Sequence, residues 1–205
     1  MATMYPLFFG LLFIALCGIV GLGDGFLVLR SEYRDMRYAD GVVFWNKEEG
    51  LRIRGLADKS VQVRNRILKI AAAEIGVREA MGRNDGARVE EYLRYTGLGS
   101  GHEWCAAFVS WCYGQARLPS PRNPWSPALF PHARRYQFGE RVVLPADLFA
   151  IYGSTAKRIN HVGIVQRQEG SYIRTIEGNS NNRVESRRRH VRTLYAFADW
   201  ASGSG

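Results

Sequence analysis

Trp104-Cys105-Ala106-Ala107-Phe108-Val109-Ser110-Trp111-Cys112-Tyr113 is nearly free of polar side chains, and its reading decides the fold. A membrane span takes about 20 apolar residues, so this run is too short to be one. As a helix it is apolar on every side and must be buried. Gly97, Gly99 and Gly101 precede it, which puts Cys105 at the helix start. Pro119, Pro121, Pro124, Pro127 and Pro131 follow, marking a surface loop of the length at which loops tend to carry function.

Upstream of the buried run the apolar period is helical. Ile67, Leu68, Ala71, Ala72 and Ile75 predict an amphipathic helix over 61–75, ended by Gly76. Asn84-Asp85-Gly86 reads as a turn, and Val89, Tyr92 and Leu93 as a second short helix. Downstream the period changes to two: residues 142–152, 161–167, 172–177 and 191–197 read as strands. Helices first and strands afterwards predict an α+β fold, with the helices packed on a C-terminal antiparallel sheet.

The 205 residues carry a net charge of +9 and are 46% apolar. One compact domain plus an appendage fits these figures; a disordered polymer and a disulfide framework do not. Residues 1–59 hold seven Lys/Arg and seven Asp/Glu, and residues 60–205 hold 21 and 12, so the excess of nine is all C-terminal. Its densest patch, Arg187-Arg188-Arg189-His190, suits a polyanionic partner such as an anionic cell wall or simply a solvated face. Nucleic acid is not expected, because Trp104, Phe108 and Trp111 lie on the buried helix and not among the arginines.

Residues 1–23 contain no charged side chain, and a helix over Tyr5–Leu29 would rise about 37 Å, enough to cross a hydrocarbon core of about 30 Å. The expectation is an N-terminal hydrophobic helix in residues 1–30, a transmembrane anchor or a cleaved signal. A juxtamembrane connector over 31–59, a catalytic domain over 60–200 and a flexible tail over 201–205 complete the expected organisation.

Cys105 is the candidate nucleophile, since a helix N-terminus favours thiolate over thiol. Cys112 lies two turns on, about 10.5 Å along the axis, out of disulfide reach, and reads as core. His161 opens one strand and Glu177 closes the next. A three-residue turn at 168–170 with Gly170 left-handed would set 161 directly across from 177. The carboxylate could then hold one imidazole nitrogen and leave the other for a thiol. Asn179 is a second candidate orienter.

The run 104–111, followed by Asp147-Leu148, His161-Val162-Gly163-Ile164-Val165 and Glu177-Gly178-Asn179, resembles the CHAP domain, a papain-like peptidoglycan amidase/endopeptidase of the NlpC/P60 group. The resemblance extends over roughly 62–200. It implies a papain-like fold in which Cys105 is the nucleophile, His161 the base, and Glu177 and Asn179 its orienters. Two departures stand out: Ala146 where the family usually has Gly before Asp147, and a loop 153–160 without the family's common acidic residues. They count against family-type calcium binding and leave the triad intact; no metal and no cofactor are expected. The implied activity is amide hydrolysis in peptidoglycan, by a bacterial or phage enzyme that is membrane-associated through residues 5–29, or exported, and acts on the cell wall. The alternatives are a non-catalytic wall-binding or virion module, and an acyltransferase using the same triad. An immunity or delivery partner is left open.

Overall fold

The computed structural model describes residues 19–23, 26–29, 37–39, 42–44 and 47–202, with side chains over 57–202. The chain divides into two compact units between Ala57 and Asp58. In the first, β1 (Ile19–Gly23) pairs antiparallel with β2 (Phe26–Leu29), and β3 (Arg37–Ala39) with β4 (Val42–Phe44).

These strands correct part of the N-terminal expectation. Most of Tyr5–Leu29 lies outside the described residues, but its described parts, 19–23 and 26–29, are extended and not helical. Gly18, Gly21, Gly23 and Gly25 each lower helix propensity by about 1 kcal/mol, while Ile, Val and Phe favour strands. No described helix is long and apolar enough to cross a membrane. The connector expected over 31–59 is helical in its second half, because α1 runs over Lys47–Ala73.

In the second unit, the part of α1 from Asp58 onward, α2 (Ala87–Tyr95) and α3 (Cys105–Gln115) precede a six-stranded antiparallel sheet. Its strands are β5 (Arg135–Tyr136), β6 (Leu148–Gly153), β7 (Arg158–Glu169), β8 (Tyr172–Ser180), β9 (Arg183–His190) and β10 (Ala196–Ala198), in the order β5-β10-β6-β7-β8-β9. The α+β reading holds. Every residue of α3 from Cys105 to Tyr113 is buried, as an all-apolar helix requires. Tyr92 of α2 packs edge-on against Phe108 of α3 with ring centroids 5.4 Å apart. Gly178 lets α3 come close to β8, since a Cβ there would stand 2.6 Å from that of Phe108.

The buried stripe of α1 follows the helical period through Arg64, Ile67 and Ala71. Arg64 bonds Asp147 Oδ1 at 2.8 Å and Asp199 Oδ1 at 2.7 Å, which ties α1 to the start of β6 and to the chain just after β10. Asp147 also accepts from the Tyr136 hydroxyl at 2.6 Å and from Leu144 N at 2.9 Å. Ala146, beside it, has φ 65, the left-handed region that glycine occupies without strain.

The strands expected at 142–152 and 191–197 are shorter, Leu148–Gly153 and Ala196–Ala198, and β9 was not expected at all. Its sequence, Arg-Val-Glu-Ser-Arg-Arg-Arg-His, lacks the apolar alternation that marks a strand. It is an edge strand, where charged side chains are tolerated and discourage further pairing.

Candidate active site

Cys105 stands at the first position of α3, and the first intrahelical bond of that helix runs from Phe108 N to Trp104 O at 2.8 Å. The N–H groups of Cys105, Ala106 and Ala107 come before that bond and give the helix start its positive end. Glu79 fixes the approach: its carboxylate accepts from the Trp104 indole at 2.9 Å and from Asn84 N at 2.9 Å. The Cys105 thiol meets the His161 ring and Val162 N–H from β7. It also lies 3.4 Å from the hydroxyl of Ser126, the first residue of a 3-10 turn (Ser126–Leu129) in the proline-rich loop.

His161 Nε2 is 2.8 Å from Glu177 Oε2, which leaves Nδ1 for the thiol. The hairpin that brings this about is not the one expected. Glu169 pairs with Tyr172, so the loop is two residues, Gly170-Ser171, with Gly170 at φ 60. A bulge between Val165 and Arg167 then shifts the register, and Ile164 pairs with Ile176. Continued outward, that register sets Gly163 across from Glu177, so His161 meets the carboxylate diagonally over a glycine. Alternation keeps His161, Gly163 and Glu177 on one face of the sheet.

Glu177 is fully buried and its carboxylate is saturated. Oε1 accepts from Arg189 Nε at 2.6 Å and from Thr175 Oγ1 at 2.5 Å; Oε2 accepts from Arg189 Nη2 at 2.5 Å besides facing His161. Burial pushes the carboxyl up, but Arg189, His161 and Thr175 together bring it down to about 2. Burial likewise disfavours the imidazolium, yet the partners Cys105 and Glu177 raise His161 to about 9. Burial raises the Cys105 thiol; the hydrogen bond and charge of His161, with Ser126 and Val162 N–H, outweigh it and leave the thiol below its ordinary value. All three directions favour a thiolate facing an imidazolium.

Asn179 does not join this chain. Its φ is 55, and its amide donates to Glu103 Oε2 at 2.6 Å and to Asn84 Oδ1 at 3.2 Å, so it ties β8 to the loops before α2 and α3. Cys112 is buried in the core, which raises its thiol well above the ordinary value. The Asn84-Asp85-Gly86 turn spends its carboxylate internally, with Asp85 Oδ1 accepting Met81 N at 2.9 Å.

The arginine run is not one patch. Arg187 pairs with Glu185 at 3.2 Å and Arg188 lies over the Tyr172 ring at 3.4 Å, while Arg189 belongs to the site. Ser126, Thr175 and Arg189 are the contributors that the sequence reading missed. Thr175 had a signal, since it stands two residues before Glu177 and so on the same face of a strand.

Residues 97–179 match the model of the CHAP domain family. Cys105, His161, Glu177 and Asn179 fall inside that stretch and Arg189 outside it. No curated protein matches the chain. Among solved structures it is similar to NlpC1 from Trichomonas vaginalis at 11% identity and a TM-score of 0.44, over 67% of this chain and 44% of that one. It is also similar to the P60 domain of an M. avium paratuberculosis antigen at 14% identity and a TM-score of 0.45, over 69% of this chain and 96% of that one. The chain thus spans less than half the length of NlpC1.

Proposed function

We propose that the protein is a cysteine hydrolase that cleaves amide bonds of peptidoglycan and acts at the cell wall. The observation that carries this reading is the chain Cys105, His161, Glu177 at the start of a buried helix, within a stretch that matches the CHAP domain.

On this reading the Cys105 thiolate attacks the amide carbonyl carbon, and the N–H groups at the start of α3 face the oxyanion. The tetrahedral intermediate collapses with loss of the C–N bond as the His161 imidazolium gives its proton to the leaving amine. A thioester on Cys105 and a neutral His161 remain. The imidazole takes a proton from water, the hydroxide oxygen bonds the thioester carbon, and the C–S bond breaks. The acid leaves and the thiolate–imidazolium pair is restored. Glu177 holds Nε2–H throughout, so that the proton traffic runs through Nδ1.

The test is mass spectrometry of purified peptidoglycan after incubation with the full chain, beside its Cys105→Ala form. Cleaved stem peptides or cross-bridges define an endopeptidase; glycan freed of peptide, with new amino-terminal alanine, defines an amidase. No released fragment, or equal release by Cys105→Ala, overturns the proposal.

A further inference from the structure

A thiol–imidazole–carboxylate chain needs a carboxylate at its end, and nothing in that chemistry asks for a guanidinium behind it. Here both oxygens of the buried Glu177 carboxylate take an N–H of Arg189, at 2.6 and 2.5 Å. We infer that Arg189 is a positioning residue of the active site, a two-pronged clamp that fixes the Glu177 carboxylate against His161. The inference rests on the reading of Cys105, His161 and Glu177 as the catalytic set.

The contact is not the ordinary pairing of neighbouring charges on a sheet. The register sets Arg189 across from Ile173, four residues and about 13 Å of strand from Glu177. Arg187, across from Thr175, starts nearer, yet it turns to Glu185 and Ser180. The side chain of Arg189 is 20% exposed, against 41% and 51% for Arg187 and Arg188. Its guanidinium stands 5.5 Å from the centroid of the Phe149 ring, and that ring lies 6.2 Å from the imidazole of His161. One aromatic ring therefore backs both the clamp and the base.

A glutamate has three side-chain torsions, and directly across from Glu177 on β7 lies the bare backbone of Gly163, while His161 of that strand meets the carboxylate at Oε2 alone. Packing from that strand cannot choose its rotamer, whereas two parallel N–H···O bonds can. The charged and titratable groups around the carboxylate are Cys105 from α3, His161 from β7, Arg189 from β9, and Glu185, which pairs with Glu177 in register and is itself neutralised by Arg183 and Arg187. The strand β6 contributes Phe149. Among the described residues, Arg189 is thus the one cation fixed on Glu177 besides the imidazole.

Two substrate-free readouts on the full chain test this: the pH at which Cys105 begins to be alkylated, followed at that peptide by mass spectrometry, and the NMR titration of the His161 ring. Arg189→Gln removes a cation, so both transitions rise, each by about one pH unit. Arg189→Lys keeps the charge and loses the fork. Both transitions then return to the wild-type pH, while kcat falls several-fold at unchanged KM. Arg189→Lys carries the test alone if Arg189→Gln does not fold. A folded Arg189→Gln with unmoved transitions, or Arg189→Lys with full kcat, overturns the clamp. Shifted transitions in a chain that releases nothing from peptidoglycan uphold the clamp and overturn the hydrolase reading instead.

Discussion

Gly163 and Glu177 share one small space: a Cβ on Gly163 would lie 2.9 Å from Glu177 Cγ and 2.7 Å from Phe149 Cε1. The glycine is what lets the carboxylate lie flat across β7 and reach His161 from the diagonal. Gly163→Ala must displace either the Glu177 stem or the Phe149 ring, and both adjoin the imidazole. Overpacking of this kind costs about 1–3 kcal/mol. The expected outcome is a folded protein with a lowered Tm and a kcat reduced at least tenfold, read by thermal unfolding and by fragment release. An unchanged kcat would mean that Glu177 does not need this route to His161.

The buried helix at 105–115 with Cys105 at its start and the helix-then-strand order were legible, because each rests on a strong local pattern, whereas His161 and Glu177 were singled out through an assumed hairpin register and the resemblance of their motifs to the CHAP domain. The register was not. Moving from a three-residue to a two-residue turn, and adding one bulged residue, changes which residue faces Glu177 without changing the hydrophobic pattern of either strand. The arginine run misled for a related reason. Its composition is that of a solvated surface, and only pairing with β8 reveals that alternate side chains point to different environments, so that Arg189 turns inward while Arg188 covers Tyr172. Arg64 was hidden in the same way, as a charge placed on the buried stripe of an otherwise ordinary helix.

Cys105→Ala, His161→Ala and Glu177→Ala should each lower fragment release about a thousandfold or more. Asn179→Ala should be milder, because its amide bonds Glu103 and Asn84 and not the imidazole. Cys112→Ala should keep kcat and lower only stability. Initial rates on purified peptidoglycan, beside thermal unfolding of each variant, check the order; an Asn179→Ala as inactive as Glu177→Ala would return Asn179 to the catalytic chain.

Ser126 offers the thiolate a hydroxyl at 3.4 Å from outside the triad. Ser126→Ala removes that donor and leaves the thiol more protonated at a given pH. Alkylation of Cys105 should begin at higher pH, and kcat at neutral pH should fall about three- to tenfold, the worth of one ordinary hydrogen bond. Ser126→Thr, which keeps the hydroxyl, should recover part of it. Alkylation that begins at the wild-type pH in Ser126→Ala would remove the hydroxyl from the mechanism.

Arg64 holds two buried carboxylates at once, Asp147 and Asp199. Removing the cation strands Asp147 and leaves Asp199 to Arg141, 3.5 Å away, and breaking a buried ion pair from one side costs about 3–5 kcal/mol. Arg64→Met should therefore be far more destabilising than Asp199→Asn, which leaves Arg64 its bond to Asp147. Denaturant midpoints measure the two. Equal midpoints would mean that the Asp147 contact contributes little and that α1 is held by its apolar stripe alone.

The pH dependence of hydrolysis separates the roles of thiolate and imidazolium. His161 sits at about 9, raised by Cys105 and Glu177 against the opposing effect of burial, and its proton is the one the leaving amine takes. As pH rises through about 9 the imidazolium is lost, so kcat/KM should fall there. As pH falls, the thiolate is protonated, but at a pH below that of an ordinary thiol, because His161 and Ser126 together outweigh burial. Hydrolysis thus has two limbs. Alkylation of Cys105 needs only the thiolate, so its rate should show the acid limb and no decline near 9. Replacing Glu177 by Gln removes a negative charge from beside the imidazolium, which lowers the His161 transition and moves the alkaline limb of hydrolysis toward neutrality. Parallel pH series of fragment release and alkylation, on the wild type and Glu177→Gln, decide the matter: an alkaline decline in both reactions would point to unfolding, and an unmoved alkaline limb in Glu177→Gln would mean that a group other than His161 supplies the proton.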